Sequence, residues 1–489
     1  MSAEPDREVT LADWEAAGPG WARLPYLARW SGRRLPASWE GALPGRHAAV
    51  LESGPTGRHT LLVPEAAAFS FPAQGRGVAH GPLGERPLDT EDPLAWLDAW
   101  AVANRAPRLP GWPAFQGGLV AALGYELATR FEPVGAPKAD PALPLAVFLE
   151  ADEALLHDRE TGELVAIVLC RAADPAANAL EAARIRARRL VRLWDLAAER
   201  PAPRFLPAAD PVPILAASLD AVAFADAARR CQDYIAAGDT YQVNLSARLE
   251  LPPPPSALLA YEAVRATNPS PYMGYLRLPG VEIASGSPEL LVSRDGDRLA
   301  SRPIAGTRPR TGEASEDGAF ARELAADSKE RAEHLMLVDL LRNDIGRVAA
   351  PGSVRVPEFM AVERYSHVMH LVSQVEGALP APPPTHSELI RAVFPGGTVT
   401  GAPKVRTMQV IAGLEPVARG FYTGSLGWIG ASGDLCLNIV IRTLTLAGGR
   451  CLAQAGAGIV ADSHPDREHA ESLRKALALR VALGRIPPA

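Results

Sequence analysis

No stretch of this chain is apolar for long enough to span a membrane. The first residues, Met1-Ser2-Ala3-Glu4-Pro5-Asp6, also lack the basic-then-apolar order of an export signal. Cysteine is scarce, with only Cys170, Cys231, Cys436 and Cys451 among 489 residues. They lie too far apart for a zinc site or a disulfide framework, so a cytoplasmic location is the expectation. None stands on the Gly-flanked elbow that a glutaminase nucleophile needs. A basic surplus is missing too: 50 Lys and Arg face 56 Asp and Glu, a net charge of −6, which argues against a nucleic-acid partner. Any anionic ligand must then be held by local positive groups or a metal.

What is present is ordinary globular material, 47% hydrophobic and 22% charged, with no internal repeat. Pro and Gly cluster at joints. The strongest joint is the Pro-rich run from Pro201 to Pro213, between helical patterns over Ala176 to Glu199 and Ala221 to Ala237. It predicts an N-terminal region, 1–213, and a catalytic region, 214–489. Strand patterns cover Ala48 to Leu51, Leu164 to Leu169, Tyr241 to Leu249, Val281 to Ser285, Ser425 to Ile429 and Leu437 to Leu446. Helical patterns cover Leu94 to Asn104, Glu316 to Val348 and Asp466 to Leu483. Sheets covered by helices, joined by meander-like turns, give an α+β class.

Several patterns can carry chemistry. Glu330 and Glu333 share one helix face, as do Glu468 and Glu471. Two such pairs on separate helices can converge on a hard cation such as Mg²⁺, although acidic helix faces are ordinarily just solvated. Phe394-Pro395-Gly396-Gly397-Thr398-Val399-Thr400-Gly401-Ala402-Pro403-Lys404 is a Gly-rich loop opening a helix, either an anion cradle with Lys404 or a structural tight turn. It lacks P-loop spacing. Arg442 lies in an apolar strand pattern, where it needs a carboxylate partner from a ligand or from the protein. The nearby Ala455-Gly456-Ala457-Gly458 offers bare backbone for close approach, or a bulge. His370 alternates with apolar neighbours, as core histidines do. Glu289, at a strand end after Ser287-Pro288, would gain a raised pKa if desolvated and serve as a general acid. Sixteen residues later the basic turn Ser301-Arg302-Pro303-Ile304-Ala305-Gly306-Thr307-Arg308 centres on Ala305, which has no reactive group.

Taken in order, these motifs resemble the chorismate-utilising enzymes, the group of anthranilate synthase and aminodeoxychorismate synthase large subunits. Phe115-Gln116-Gly117-Gly118 and Gly124-Tyr125-Glu126-Leu127 extend the resemblance into the N-terminal half. It implies antiparallel sheets packed in a sandwich with helices outside. It implies Mg²⁺ held by Glu333, Glu468 and Glu471, with Glu330 nearby, against the chorismate ring carboxylate. Tyr422, Arg442 and the Gly458 amide would hold the enolpyruvyl carboxylate, and Gly306 and Thr307 join that substrate-binding set. Glu289 would protonate the departing C4 hydroxyl, with His370, Thr398 and Lys404 on active-site positions.

By the same resemblance, relatives that add water use a lysine where Ala305 stands, so ammonia is the expected nucleophile. Ala305 and Glu363-Arg364-Tyr365-Ser366-His367-Val368-Met369-His370 resemble anthranilate synthase. Gly238-Asp239-Thr240-Tyr241-Gln242-Val243-Asn244-Leu245, the Gly-rich loop and Phe115-Gln116-Gly117-Gly118 resemble aminodeoxychorismate synthase. The balance gives 4-amino-4-deoxychorismate as the expected product, for p-aminobenzoate and folate synthesis, with anthranilate as the alternative. The ammonia would come from a separate glutamine amidotransferase subunit. The family usually has an Asp-Thr pair where Cys436 and Leu437 stand, which keeps open a silent chorismate-binding regulatory subunit. Leu51-Glu52-Ser53 resembles the segment that binds feedback tryptophan in anthranilate synthases, a segment that unregulated relatives also keep.

Overall fold

Strand Leu164–Arg171 is buried along almost its whole length, as an apolar strand must be when neighbours and helices cover both faces. It lies between Arg23–Trp30 and Glu153–Asp158 in antiparallel register. The same logic repeats across the computed structural model, which describes residues 4–54, 57–81, 84–135, 138–207, 209–364 and 368–487. Among these residues the strands form two sheets, one of 13 and one of 12 strands. Val50, Ile283 and Leu444 from the first share one buried cluster with Val120, Ala122 and Val147 from the second. The α+β sandwich expected from the sequence is therefore present.

Helices cover the outer faces. Ala176–Ala198 buries Leu180, Ala183, Ala187, Leu190, Val191 and Trp194, the stripe of a helix lying on a sheet. Pro465–Gly484 packs on strand Arg450–Ile459 and beside Ala221–Ala236 and Ala257–Thr267. On the second sheet, Ser328–Gly346 lies over Ile304–Pro309 and Val368–Ala378. Asp327 caps it by accepting from the amides of Lys329 and Glu330, and so divides it from Ala314–Ala326. No helix among the described residues is long and apolar enough to cross a membrane.

The joint near residue 213 does not divide the sheets. Ala48–Glu52 pairs with Tyr272–Leu278 in the first sheet, and Gly118–Leu123 with Ser425–Gly430 in the second. Both sheets thus draw strands from each side of the joint.

The expected strand from Leu437 to Leu446 is two strands in different sheets. Leu435–Asn438 belongs to the second, Thr443–Ala447 to the first, and Ile439 to Arg442 crosses between them. An unbroken apolar run looks the same in either sheet, so periodicity could not reveal the step. A second crossing runs beside it: Val281–Ser287 is in the first sheet, Leu290–Asp295 in the second, with Pro288 and Glu289 between. The two crossings are laced together by the Ile439 amide donating to the Glu289 carbonyl at 2.9 Å and the Gly286 amide to the Arg442 carbonyl at 3.0 Å. Glu289 and Arg442 therefore stand side by side where the two sheets part.

Candidate active site

At these crossings the chain is irregular for a reason. Arg442 has φ 50°, a left-handed conformation that costs a non-glycine residue strain and aims its side chain out of strand alternation. The expectation that Arg442 lies on a strand is corrected, and of the two carboxylate partners left open, ligand or protein, the protein supplies no ion pair among the described residues. Its guanidinium makes no hydrogen bond or ion pair among the described residues, and burial lowers its pKa against the attraction of Glu289. Glu289 is only 6% exposed and its Oε1 has no hydrogen-bond partner among the described residues. Burial pushes its carboxyl from 4.5 up to about 7, offset only in part by Thr398, Arg442 and Lys475. Thr398 Oγ1 stands beside this carboxyl, buried and without a hydrogen bond of good geometry among the described residues. A protonatable acid and an unengaged guanidinium thus share a desolvated corner.

One wall is the strand Ile304–Pro309. Its register with Val368–Ala378 slips between Ala305 and Arg308, so Gly306 and Thr307 bulge. Gly306 takes φ +62°, and a Cβ there would lie 3.0 Å from Glu330 Oε2. His370 Nδ1 is 2.9 Å from the Gly306 carbonyl, which can only accept, so Nδ1 carries the proton. Burial lowers the His370 pKa and Arg442 adds to that, against the Gly306 hydrogen bond and Glu363, and the net shift favours the neutral imidazole. Ala305 is buried and offers no group to this wall. The Thr307 side chain and residues 365–367 lie outside the described residues.

The opposite wall is the end of Arg450–Ile459. Gln242, in the adjacent strand Gln242–Leu251, donates through Nε2 to Glu333 Oε1 at 3.2 Å and lies over Gly458, where a Cβ would come within 2.4 Å of that nitrogen. Lys475 donates to the Gly456 carbonyl at 3.3 Å and pairs with Glu471 at 2.9 Å. Glu468 accepts from Ser463 at 2.9 Å. The two acidic helices therefore reach the same stretch of backbone through Gln242 and Lys475. They do not close a metal site: among the described residues no three His, Cys, Asp or Glu side chains gather to hold an ion. Glu330 is raised by burial and then by the neighbouring Glu333 charge, a repulsion that a cation would relieve. As placed, the four carboxylates do not meet around one point; they are the residues that would hold Mg²⁺, and no chemical step is derived through it.

The Gly-rich loop is chiefly structural. Its Val399 and Thr400 amides are used by the Gly396 and Gly397 carbonyls, so they cradle no anion. A Cβ on Gly397 would meet Leu340 at 1.9 Å, and one on Gly401 the Gln242 carbonyl at 2.0 Å, so close packing demands both glycines. Lys404 is tied beneath the loop to Asp344 at 2.7 Å and the Val393 carbonyl at 3.0 Å. Burial lowers its pKa against that partner. It is a positioning clamp rather than a group facing a ligand. Thr398 alone brings a side chain to the Glu289 corner. Tyr422 stacks against Arg419 at 5.6 Å behind that corner, and burial raises its pKa.

Sequence reasoning missed Lys475, Gln242 and Asn244. Lys475 follows Glu471 by one helical turn, which was the available signal. The two amides alternate on one strand face, a pattern that polar strands share widely. Cys436 lines a separate cavity of about 140 Å³ with Leu51, Ser53, Phe115, Met273 and Trp428, and Leu437 is core. Neither supplies a polar group to the Glu289 corner.

A family model described as chorismate binding enzyme matches residues 47–480. Anthranilate synthase component 1 of Streptomyces coelicolor is 43% identical, over 87% of this chain and 85% of its own. Aminodeoxychorismate synthase component 1 of Bacillus subtilis is 42% identical, over 90% and 92%. Among solved structures, anthranilate synthase component I from Streptococcus pneumoniae superposes with a TM-score of 0.74 at 31% identity, covering 87% of this chain and 92% of that one. The menaquinone-specific isochorismate synthase from Escherichia coli, at 18% identity and a TM-score of 0.68 over 96% and 97%, shares the fold.

Proposed function

This chain belongs to the chorismate-binding enzyme family, and on that premise we propose that it aminates chorismate with ammonia to give 4-amino-4-deoxychorismate. The observation that carries the reading is the Glu289 carboxyl, raised to about 7 by burial beside the unpaired Arg442 guanidinium. Protonated, it hands its proton to the C4 hydroxyl, which leaves as water while ammonia forms the new C–N bond. The surplus proton of the aminated product returns the acid to its starting state. Arg442 binds a substrate carboxylate, and burial strengthens that contact. With Ala305 in the wall, no base stands there to deprotonate water.

Component 1 in both relatives' names supports an amidotransferase partner as the ammonia source. Mg²⁺ dependence is part of the proposal, resting on the carboxylate chemistry of Glu330, Glu333, Glu468 and Glu471. A second reading, anthranilate, is favoured by Ala305, which resembles anthranilate synthase at that position; relatives of both names match this chain almost equally. The assay is purified chain, chorismate, Mg²⁺ and excess ammonium at alkaline pH, followed by chromatography. A product that an added lyase converts to p-aminobenzoate, lost on chelation, is expected. Fluorescent anthranilate establishes the second reading, unchanged chorismate indicates a silent binding subunit, and turnover that survives chelation removes the metal.

A further inference from the structure

Two amide side chains beside the glycine pair carry oxygens that nothing above uses. Gln242 and Asn244 point to the same face of their strand, and their register partners include Gly458, opposite Asn244. Glu333, accepting from Gln242 Nε2, fixes the orientation of that amide, so Oε1 faces away from the carboxylate. Gln242 is 6% exposed, and its Oε1 has no donor among the described residues. Asn244 Oδ1 is also buried without a donor among the described residues, and a Cβ on Gly456 would lie 2.6 Å from it. Leaving a buried acceptor unpaired costs about 1–3 kcal/mol, so two in adjacent same-face positions call for a shared occupant rich in donors. Lys475, on the helix packed against the neighbouring strand, is turned to the Gly456 carbonyl and Glu471 instead.

We propose that Gln242 and Asn244 form the subsite that receives the amine nucleophile. Their carbonyl oxygens accept its N–H groups and leave its lone pair aimed at the substrate. Ammonia brings three donors and one lone pair, whereas water brings two of each, so a pair of acceptors with no facing donor matches ammonia better. The inference deepens the amination reading and rests on it. The bare Cα positions of Gly456 and Gly458 are what leave room for the two amides.

The test is steady-state kinetics of the full chain with ammonium as the varied substrate, comparing wild type with Asn244→Ala, Gln242→Ala and Asn244→Asp. Loss of one hydrogen bond predicts a rise of about five- to tenfold in the ammonium KM for Asn244→Ala, with the chorismate KM within about twofold. Gln242→Ala should raise the ammonium KM at least as much. Asn244→Asp keeps an acceptor oxygen in the same place, so its ammonium KM should stay near wild type. Melting temperatures near wild type exclude a folding origin. An unchanged ammonium KM in both alanine variants, or equal rises for ammonium and chorismate, overturns the subsite while the amination reading stands. A wild type that consumes no chorismate with ammonium overturns that reading itself.

Discussion

Two polar clusters lie behind the same strand, and they are finished to different degrees. In the first, Arg419 spends all five N–H groups: on Glu415 Oε2 and Oε1 at 2.8 and 2.6 Å, the Asn244 and Val399 carbonyls at 2.7 and 3.0 Å, and Thr423 at 3.1 Å. Tyr125 and Tyr422 cover the guanidinium, and Glu126 accepts from the Arg419 and Gly420 amides at 2.7 and 2.9 Å. In the second, Glu289, Thr398, Gln242 and Asn244 each hold a buried oxygen without a partner among the described residues. The Arg419 guanidinium is complete within the protein, whereas the oxygens of the second group leave a count that a ligand would finish. Because Arg419 grips the backbone of both Asn244 and Val399, the finished cluster holds the unfinished one in shape.

Breaking the finished cluster should have the largest effect. Arg419→Met leaves Glu415 buried and uncompensated, so a loss of about 3–5 kcal/mol is expected in urea unfolding. The paired change Glu415→Gln with Arg419→Met should recover part of it, and a single-variant loss under ~1 kcal/mol would mean the network is not structural. Glu289→Gln should act in the reverse sense. Turnover should fall by about 10²–10⁴-fold through loss of the acid. Stability should rise, because the folded carboxyl titrates near 7 rather than 4.5. Below 4.5 both forms are neutral and the variant gains nothing; as pH climbs through 7 the wild type must ionise a buried group and loses about 3 kcal/mol relative to it. Unfolding at pH 4 and pH 8 checks the sign, and equal stabilities at pH 8 would contradict the buried-acid assignment. The smallest effect sharpens the contrast at one atom. Gly458→Ala puts a methyl against Gln242 Nε2, and a cost of about 1–3 kcal/mol in stability or in transition-state binding is expected from stability curves and kcat/KM. An unaltered enzyme would show that the amide has room to move.

Much of this was legible beforehand where chemistry is local. Helix Pro465–Gly484, the carboxylate pairs and Glu289 at a strand end all follow from spacing within a few residues. What failed was long-range. Lys404 was read as facing a ligand because its partner, Asp344, lies 60 positions away. Arg442 was placed within a strand because an apolar run hides a change of sheet. The glycines of the loop left an anion cradle and a structural tight turn open, and only the pressure of Leu340 and the Gln242 backbone, distant in sequence, decides for the turn. Unsatisfied oxygens cannot be read from sequence at all, since they are defined by what fails to arrive.

The paired sheet crossings have an engineering consequence. Each delivers its following strand in a fixed phase, and a shift by one residue would turn that strand's side chains to the wrong face. Inserting a residue after Pro288 alone would therefore scramble Leu290–Asp295 against Leu435–Asn438. Any graft from a relative must transplant both hinges together, as one cassette.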